Sequence, residues 1–348
     1  MRILPGQNKM RIGSQGGFSI VELLVAMAIG LVLTGGIYQL FLGSTTSYSF
    51  NEDLSRLQEN GRFAMHVMRN EVRGAGYLGC LQDAEALSNT LTSATSFLYS
   101  YKNAVYGLEA ASGGWEDNSG TVTPTATGTD NLAITSPVVG SDILVIRDVD
   151  PDMSSVLTAD MDTSVDYGLT AETGLDLATG DILLVANCQA AAVFQATGYN
   201  SGTGKISNTS DLGFEFGSGS QVFLPRTVIY YIRNNSDGEP CLYRKINQGA
   251  VEELVEGVAN MQVLYGLDTN GDYAADIYEP ADDVSDWMQV VSVRVGLVMQ
   301  TVDEVLRGPL DTATYNVDGE GGADFDPTDD RRMRMVVGGT IGLRNRLH

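Results

Sequence analysis

The sequence runs to 348 residues and sets 44 acidic side chains against 21 lysines and arginines, a formal net charge of −23. Acidity on this scale works against binding to nucleic acid or to an anionic lipid surface through a basic patch, and it makes divalent cations the natural counter-ions. By length alone two domains of roughly 150 residues are expected, but the first ~75 residues read largely as one hydrophobic helix and leave ~270 for a single globular core.

The chain opens with Arg2, Lys9 and Arg11 and no acid before Gly16-Gly17-Phe18-Ser19-Ile20-Val21-Glu22. The positive-inside rule therefore keeps residues 1–17 in the cytoplasm and sends the bulk of the chain outward. From Leu23 to Ile37 the only polar side chain is Thr34. A helix from Phe18 to Leu42 exceeds the ~30 Å of a bilayer's hydrocarbon core. Within it Glu22 is the anomaly, because a charge in an apolar span costs ~2.5–3.5 kcal/mol at the centre and demands a partner. A secretory signal peptide would place an A-x-A-like site after the apolar run, and none follows Leu42, so any cleavage comes before it.

These residues resemble the class III leader of type IV prepilins. The resemblance implies that a prepilin peptidase cuts between Gly17 and Phe18 and methylates the new Phe18 amine. It also implies that Glu22 pairs with the N-terminal amine of a neighbouring subunit during assembly. Without the three basic leader residues, 18 cations would stand against 44 acids, a mature net charge of −26.

Beyond the span, Leu54, Leu57, Gly61, Ala64, Met68 and Val72 repeat at helical spacing, while Glu52, Arg56, Glu59, Arg62, Arg69 and Arg73 fall mostly elsewhere, which predicts one continuous helix over 18–73 with a single buried stripe. Gly30, Gly35, Gly36 and Gly43 each cost ~1 kcal/mol against alanine, marking 35–43 as the place to bend or melt. Arg73-Gly74-Ala75-Gly76-Tyr77 supplies the stop. Residues 111–131 read as a long surface loop. Strands are predicted at Asp142 to Arg147, Asp181 to Ala186, Val193 to Thr197, Val222 to Arg233, Leu242 to Lys245, Met261 to Leu267, Gln289 to Thr301 and Met333 to Leu343. In Val290 to Leu297 the odd positions are apolar and Ser292, Arg294 and Gly296 alternate with them, as in an antiparallel sheet with one covered face. The expected fold is α+β: a leader over 1–17, a long helix over 18–73 whose 18–42 half is transmembrane, and an antiparallel β-sheet head over 74–348.

Three further stretches, Arg73-Gly74-Ala75-Gly76-Tyr77-Leu78-Gly79-Cys80, Met261-Gln262-Val263-Leu264-Tyr265-Gly266-Leu267-Asp268 and Arg344-Asn345-Arg346-Leu347, resemble the PilW branch of minor pilins. That resemblance implies a structural subunit that primes a type IV pilus and sits at its tip. Its implied partners are the prepilin peptidase, other minor pilins, the major pilin and a tip adhesin. It would reside in the inner membrane before assembly and on the cell surface afterwards. A pseudopilin of a type II secretion system shares the leader, the Glu22 logic and the fold, and is the alternative; a membrane-anchored extracytoplasmic enzyme is a third reading.

One stretch has the spacing of a cation site. Asp268, Asn270, Asp272 and Asp276 place side-chain oxygens at positions 1, 3, 5 and 9 of a loop, and Glu279 falls at position 12, as in calcium loops. Tyr273 stands where an EF-hand has glycine and a strand precedes the loop, so the expectation is a calcium-stapled loop between strands. Asp148 to Asp152 and Asp318 to Asp330 lack the spacing and read as solvated loops. The three cysteines, Cys80, Cys188 and Cys241, lie far apart, and with only His66 and His348 beside them a zinc site is not expected. In an oxidising compartment two of the three should pair, and the sequence alone permits three pairings; with Cys80 just past the helix and Cys188 just past a strand, these two are the expected pair, leaving Cys241 free. No nucleophile elbow or phosphate loop is present, and no enzyme is expected.

Overall fold

The computed structural model describes residues 17, 19–94, 96–111, 113–126, 132–163, 167–306, 309–321 and 324–346. The chain divides into two units, Met1–Glu52 and Asp53–His348.

In the first unit the described chain is almost entirely helix. Helix α1 is assigned from Ile20 to Gly74. Residues 35–43, where a bend or melt is expected, stay helical. No proline interrupts the stretch, and the hydroxyls of Thr34, Thr45 and Thr46 each donate to the carbonyl four residues back, Gly30, Phe41 and Leu42, at 2.7–2.8 Å. The apolar side chains from Ile20 to Leu42 are exposed. Length and composition make this stretch fit to cross a membrane.

The second unit holds the rest of α1 and two sheets. The first sheet gathers the first thirteen strands. They are β1 (Leu87–Asn89), β2 (Val105–Ala111), β3 (Gly114–Asp117), β4 (Gly120–Val122), β5 (Ile143–Asp162), β6 (Gly168–Ala171), β7 (Ile182–Ala186), β8 (Ala191–Gln195), β9 (Gly198–Asn200), β10 (Lys205–Ser207), β11 (Gln221–Asn234), β12 (Pro240–Ile246) and β13 (Val251–Glu256). The second sheet takes the last four, β14 (Val258–Leu267), β15 (Ile277–Glu279), β16 (Val290–Gln300) and β17 (Arg334–Gly342), in the order β15-β14-β16-β17. Among the described residues the pairings are antiparallel except that of β1 with β8. The fold is α+β, a long N-terminal helix with a mostly antiparallel β body.

The principal core forms where α1 lies over both sheets. Leu57, Gly61, Ala64, Met65, Met68 and Val72 are the buried stripe of the helix. They meet Val105, Leu144, Val228 and Tyr230 of the first sheet and Val263, Tyr265, Val295 and Leu297 of the second. Complete burial of Met68 and Val72 contributes ~1.5–3 kcal/mol each. A polar network fixes the helix's rotation on this core. The Glu71 carboxylate accepts from Tyr230 Oη and from Arg244 Nη1 at 2.8 Å, with Arg226 3.9 Å away. Arg226 in turn forks onto both oxygens of Asp148 at 2.7 and 2.8 Å.

Two loop expectations are corrected. Asp148 to Asp152 lies inside β5, and Asp148 is buried against Arg226 rather than solvated. Within 111–131 the hairpin of β3 and β4 replaces a plain loop, anchored by the buried Trp115, whose indole donates to Ser141 O at 2.9 Å. Neither was legible beforehand, since proline and acids interrupt the first run and glycine, proline and acids the second, with few apolar alternations in either.

Candidate functional site

Ser19 and Glu22 build the start of α1. The Ser19 hydroxyl accepts from the Val21 N–H at 3.2 Å, and Glu22 Oε2 accepts from the Ser19 N–H at 2.9 Å. These two bonds cap the helix much as a capping box does: they satisfy two of the amides that a helix N-terminus leaves open, and they set a carboxylate at the positive end of the helix dipole. The S-x-x-E spacing was visible in the sequence and was missed there. Glu22 is exposed, and a carboxylate holding one donor retains acceptor capacity for another. Gly17 is exposed with nothing crowding its Cα. Phe18 and the leader up to Gly16 lie outside the described residues. The assembled part of this end is therefore an anion-capped apolar helix whose free acceptor side suits a cationic donor.

The expected cation loop is arranged otherwise. Asp268 Oδ1 accepts from the N–H groups of Asn270, Gly271 and Asp272 at 2.6–3.2 Å, and Oδ2 from that of Tyr273 at 2.8 Å. Desolvation would lift this carboxyl, but the four amides outweigh it and hold it below the usual range. Asp276 accepts from Thr269 N–H and Oγ1 and from Asn270 Nδ2 at 2.7–2.8 Å. Asp272 Oδ1 receives Ala274 N–H at 2.9 Å, and Glu279 sits on β15 opposite Tyr265. Among the described residues no three His, Cys, Asp or Glu side chains are grouped to hold a metal ion. Asp268, Asn270, Asp272 and Asp276 thus close the loop on its own donors. Tyr273 takes a left-handed backbone, φ 65°, at the position where glycine would be unstrained.

Cys80 and Cys188 form a disulfide with Cα atoms 4.7 Å apart, and Cys241 is a free, buried thiol. Burial pushes that thiol up to about 12, so it stays protonated and inert.

Sequence reading also missed a buried acid cluster at the joint of the sheets. The Asp142 carboxylate accepts from Ala110 N–H of β2 at 2.9 Å and from Val263 N–H of β14 at 2.8 Å, bolting one sheet to the other. Complete burial, with Glu109 nearby, pushes Asp142 well above the carboxylate range. Burial likewise lifts Glu109 to about 7, opposed by the Ala281 N–H and assisted by Asp282, Asp318 and Asp324. The Tyr265 hydroxyl, fully buried beside them, fills the place of a side chain at Gly107, where an added Cβ would stand 1.9 Å from it. No motif flags such a cluster, because its members are brought together only by the packing of distant strands.

Residues 12–38 match the prokaryotic N-terminal methylation motif, and residues 229–345 match the family of type IV pilus-assembly protein W. Comparison with curated proteins and with solved structures gives no match. The first match covers the capped end of α1 and its apolar run, and the second runs from β11 through the second sheet to the turn at Arg344–Arg346. The two matched stretches, the capped apolar start of α1 and the body from β11 onward, are the parts expected of a class III prepilin of the PilW family.

Proposed function

We propose that the chain is a minor pilin, a structural subunit without catalytic activity, that primes a type IV pilus and sits at its tip. The observation that carries this reading is the sequence of parts at the N-terminus: a basic leader, a glycine pair, and a carboxylate at the head of a helix fit to cross a membrane. In this reading prepilin peptidase removes residues 1–17 at the Gly17–Phe18 bond, 18–73 becomes the spine with 18–42 in the inner membrane, and 74–348 is the head. The Phe18 amine of a neighbouring subunit is then a second, cationic donor to Glu22. In hydrocarbon an unpaired carboxylate is costly and a paired one much less so, which makes incorporation depend on the match. The remaining partners are other minor pilins, the major pilin and a tip adhesin, and the assembled protein is on the cell surface.

Mass spectrometry of the mature N-terminus tests the processing step: a methylated Phe18 is expected, and an intact Met1 in assembled pili overturns it. A deletion strain tests the process. Loss of surface pili and twitching with secretion intact is expected, whereas lost secretion with normal pili would make the chain a secretion pseudopilin.

A further inference from the structure

We propose that the open edge of β17 is a docking site for an extended, acid-bearing strand of another pilus subunit, which joins the second sheet as its fifth strand. The proposal rests on the reading of this chain as a pilus subunit. Its geometry starts from two bonds that bracket the strand: Leu343 N–H donates to Val291 O at 2.8 Å, and Thr301 N–H to Met333 O at 3.0 Å. Between them the register from Ser292–Gly342 to Gln300–Arg334 is unbroken. In an antiparallel ladder alternate residues bond to the neighbour, so the odd positions of β17 face β16 and Arg334, Val336, Gly338, Thr340 and Gly342 turn their N–H and C=O groups away from the sheet. Among the described residues those outward groups have no main-chain partner. Val336, Gly338 and Thr340 are exposed.

Other edges of the two sheets are guarded. β1, β4, β9 and β15 are three residues long, and β13 carries Glu252, Glu253 and Glu256. Short length and charge are the ordinary protections against unwanted strand pairing. β17 has nine residues, a regular ladder, and no proline, lysine or acid from Met335 to Gly342. A long unguarded edge calls for main-chain hydrogen bonds, which only another extended backbone supplies.

Charge selects the occupant. Helix α1 crosses this strand, with Gly61 against Val337 and Arg69 Nη2 3.6 Å from where a Gly339 Cβ would stand. Arg62, Arg69 and Arg73 recur on one helical flank and are exposed, in a chain of net charge −23. A second copy docking edge to edge would bring two such arginine flanks together and add its own acid surplus. A different subunit presenting Asp or Glu beside Arg69 avoids both repulsions.

The test uses the full chain in piliated cells, with a photo-crosslinking amino acid in place of Thr340 and the adduct peptide sequenced by mass spectrometry. An adduct with an extended acidic segment of another pilus subunit is expected. An adduct with a second copy or with lipid, or no adduct while the chain is recovered with sheared pili, overturns the proposal. Failure of the wild-type chain to be recovered with pili at all would instead sink the pilin reading, and this proposal with it. As a second arm, Val336→Pro removes one outward N–H without touching the ladder, which edge positions tolerate. At least a tenfold loss of recovery with pili is expected for it, with Val336→Thr recovered normally; equal recovery of the two also overturns the proposal.

Discussion

Replacing Glu22 with alanine removes a negative charge and also the acceptor of the Ser19 N–H. Glutamine keeps the acceptor, since Gln serves at this position of a capping box, and loses only the charge. If intersubunit pairing with an amine dominates, Glu22→Gln and Glu22→Ala fail equally to enter pili while both insert in the membrane; normal incorporation of the Gln variant would leave capping as the main role. Glu109 makes a second expectation at this scale. Its folded form binds a proton more tightly than the unfolded chain, about 7 against 4.5, chiefly through burial. It therefore contributes stability that is fully present below ~4.5 and lost as pH rises through ~7, on the order of 3 kcal/mol. Thermal melts should fall over that window and flatten in Glu109→Gln; parallel wild-type and variant curves would refute it. The contrast between Glu22 and Glu109 measures what the sequence could tell. An acid inside an apolar run is conspicuous in one dimension. An acid at the end of an ordinary strand acquires its neighbours Asp142, Asp282 and Tyr265 only from the fold.

At the scale of elements, the seat of α1 hinges on Glu71, whose side chain is 11% exposed between Arg244 and Arg226. Removing its carboxylate leaves Tyr230 Oη without its acceptor and leaves Arg244 with Glu252 alone, at a cost of ~1–3 kcal/mol. Glu71→Ala should lower the melting temperature and open the 57–72 stretch to proteolysis, and the double change Glu71→Leu with Arg244→Leu should recover much of the loss. A Glu71→Ala melt equal to wild type would show the network to be ornamental. Periodicity found the helix because 3.6-residue repetition survives over many turns, and it found β14, β16 and β17 because their alternation is long and clean. It passed over β1, β2, β3, β4, β6, β9, β10, β13 and β15, most of them three or four residues long, and it stopped β5 at Arg147. The strand in fact continues to Asp162, because Asp148 is neutralised by Arg226 and pairing with β11 resumes beyond an irregularity at Phe223/Pro225.

Across the whole molecule, the Cys80–Cys188 bond ties the exit of α1 to the turn after β7 across 108 residues. A closure of that length restricts the unfolded chain by ~4–5 kcal/mol in the entropic account, and measured losses run ~2–5 kcal/mol. Cys80→Ser with Cys188→Ser should melt well below wild type, and reductant should bring wild type to the same place; a change under about 1 kcal/mol would mean that the hydrophobic cluster of Leu78, Leu81, Leu184 and Phe223 alone suffices there.

The carbonyls of Gly74 and Ala75, where α1 ends, are held by the side-chain amide of Asn345 at 3.1 Å, across separations of 271 and 270 residues. The end of α1 is thus closed by a side chain 270 residues further along, so it stays open until the second sheet and the turn that carries Asn345 have been made. The contact that finishes the helix is long-range, and its presence reports that the β body between the two has folded.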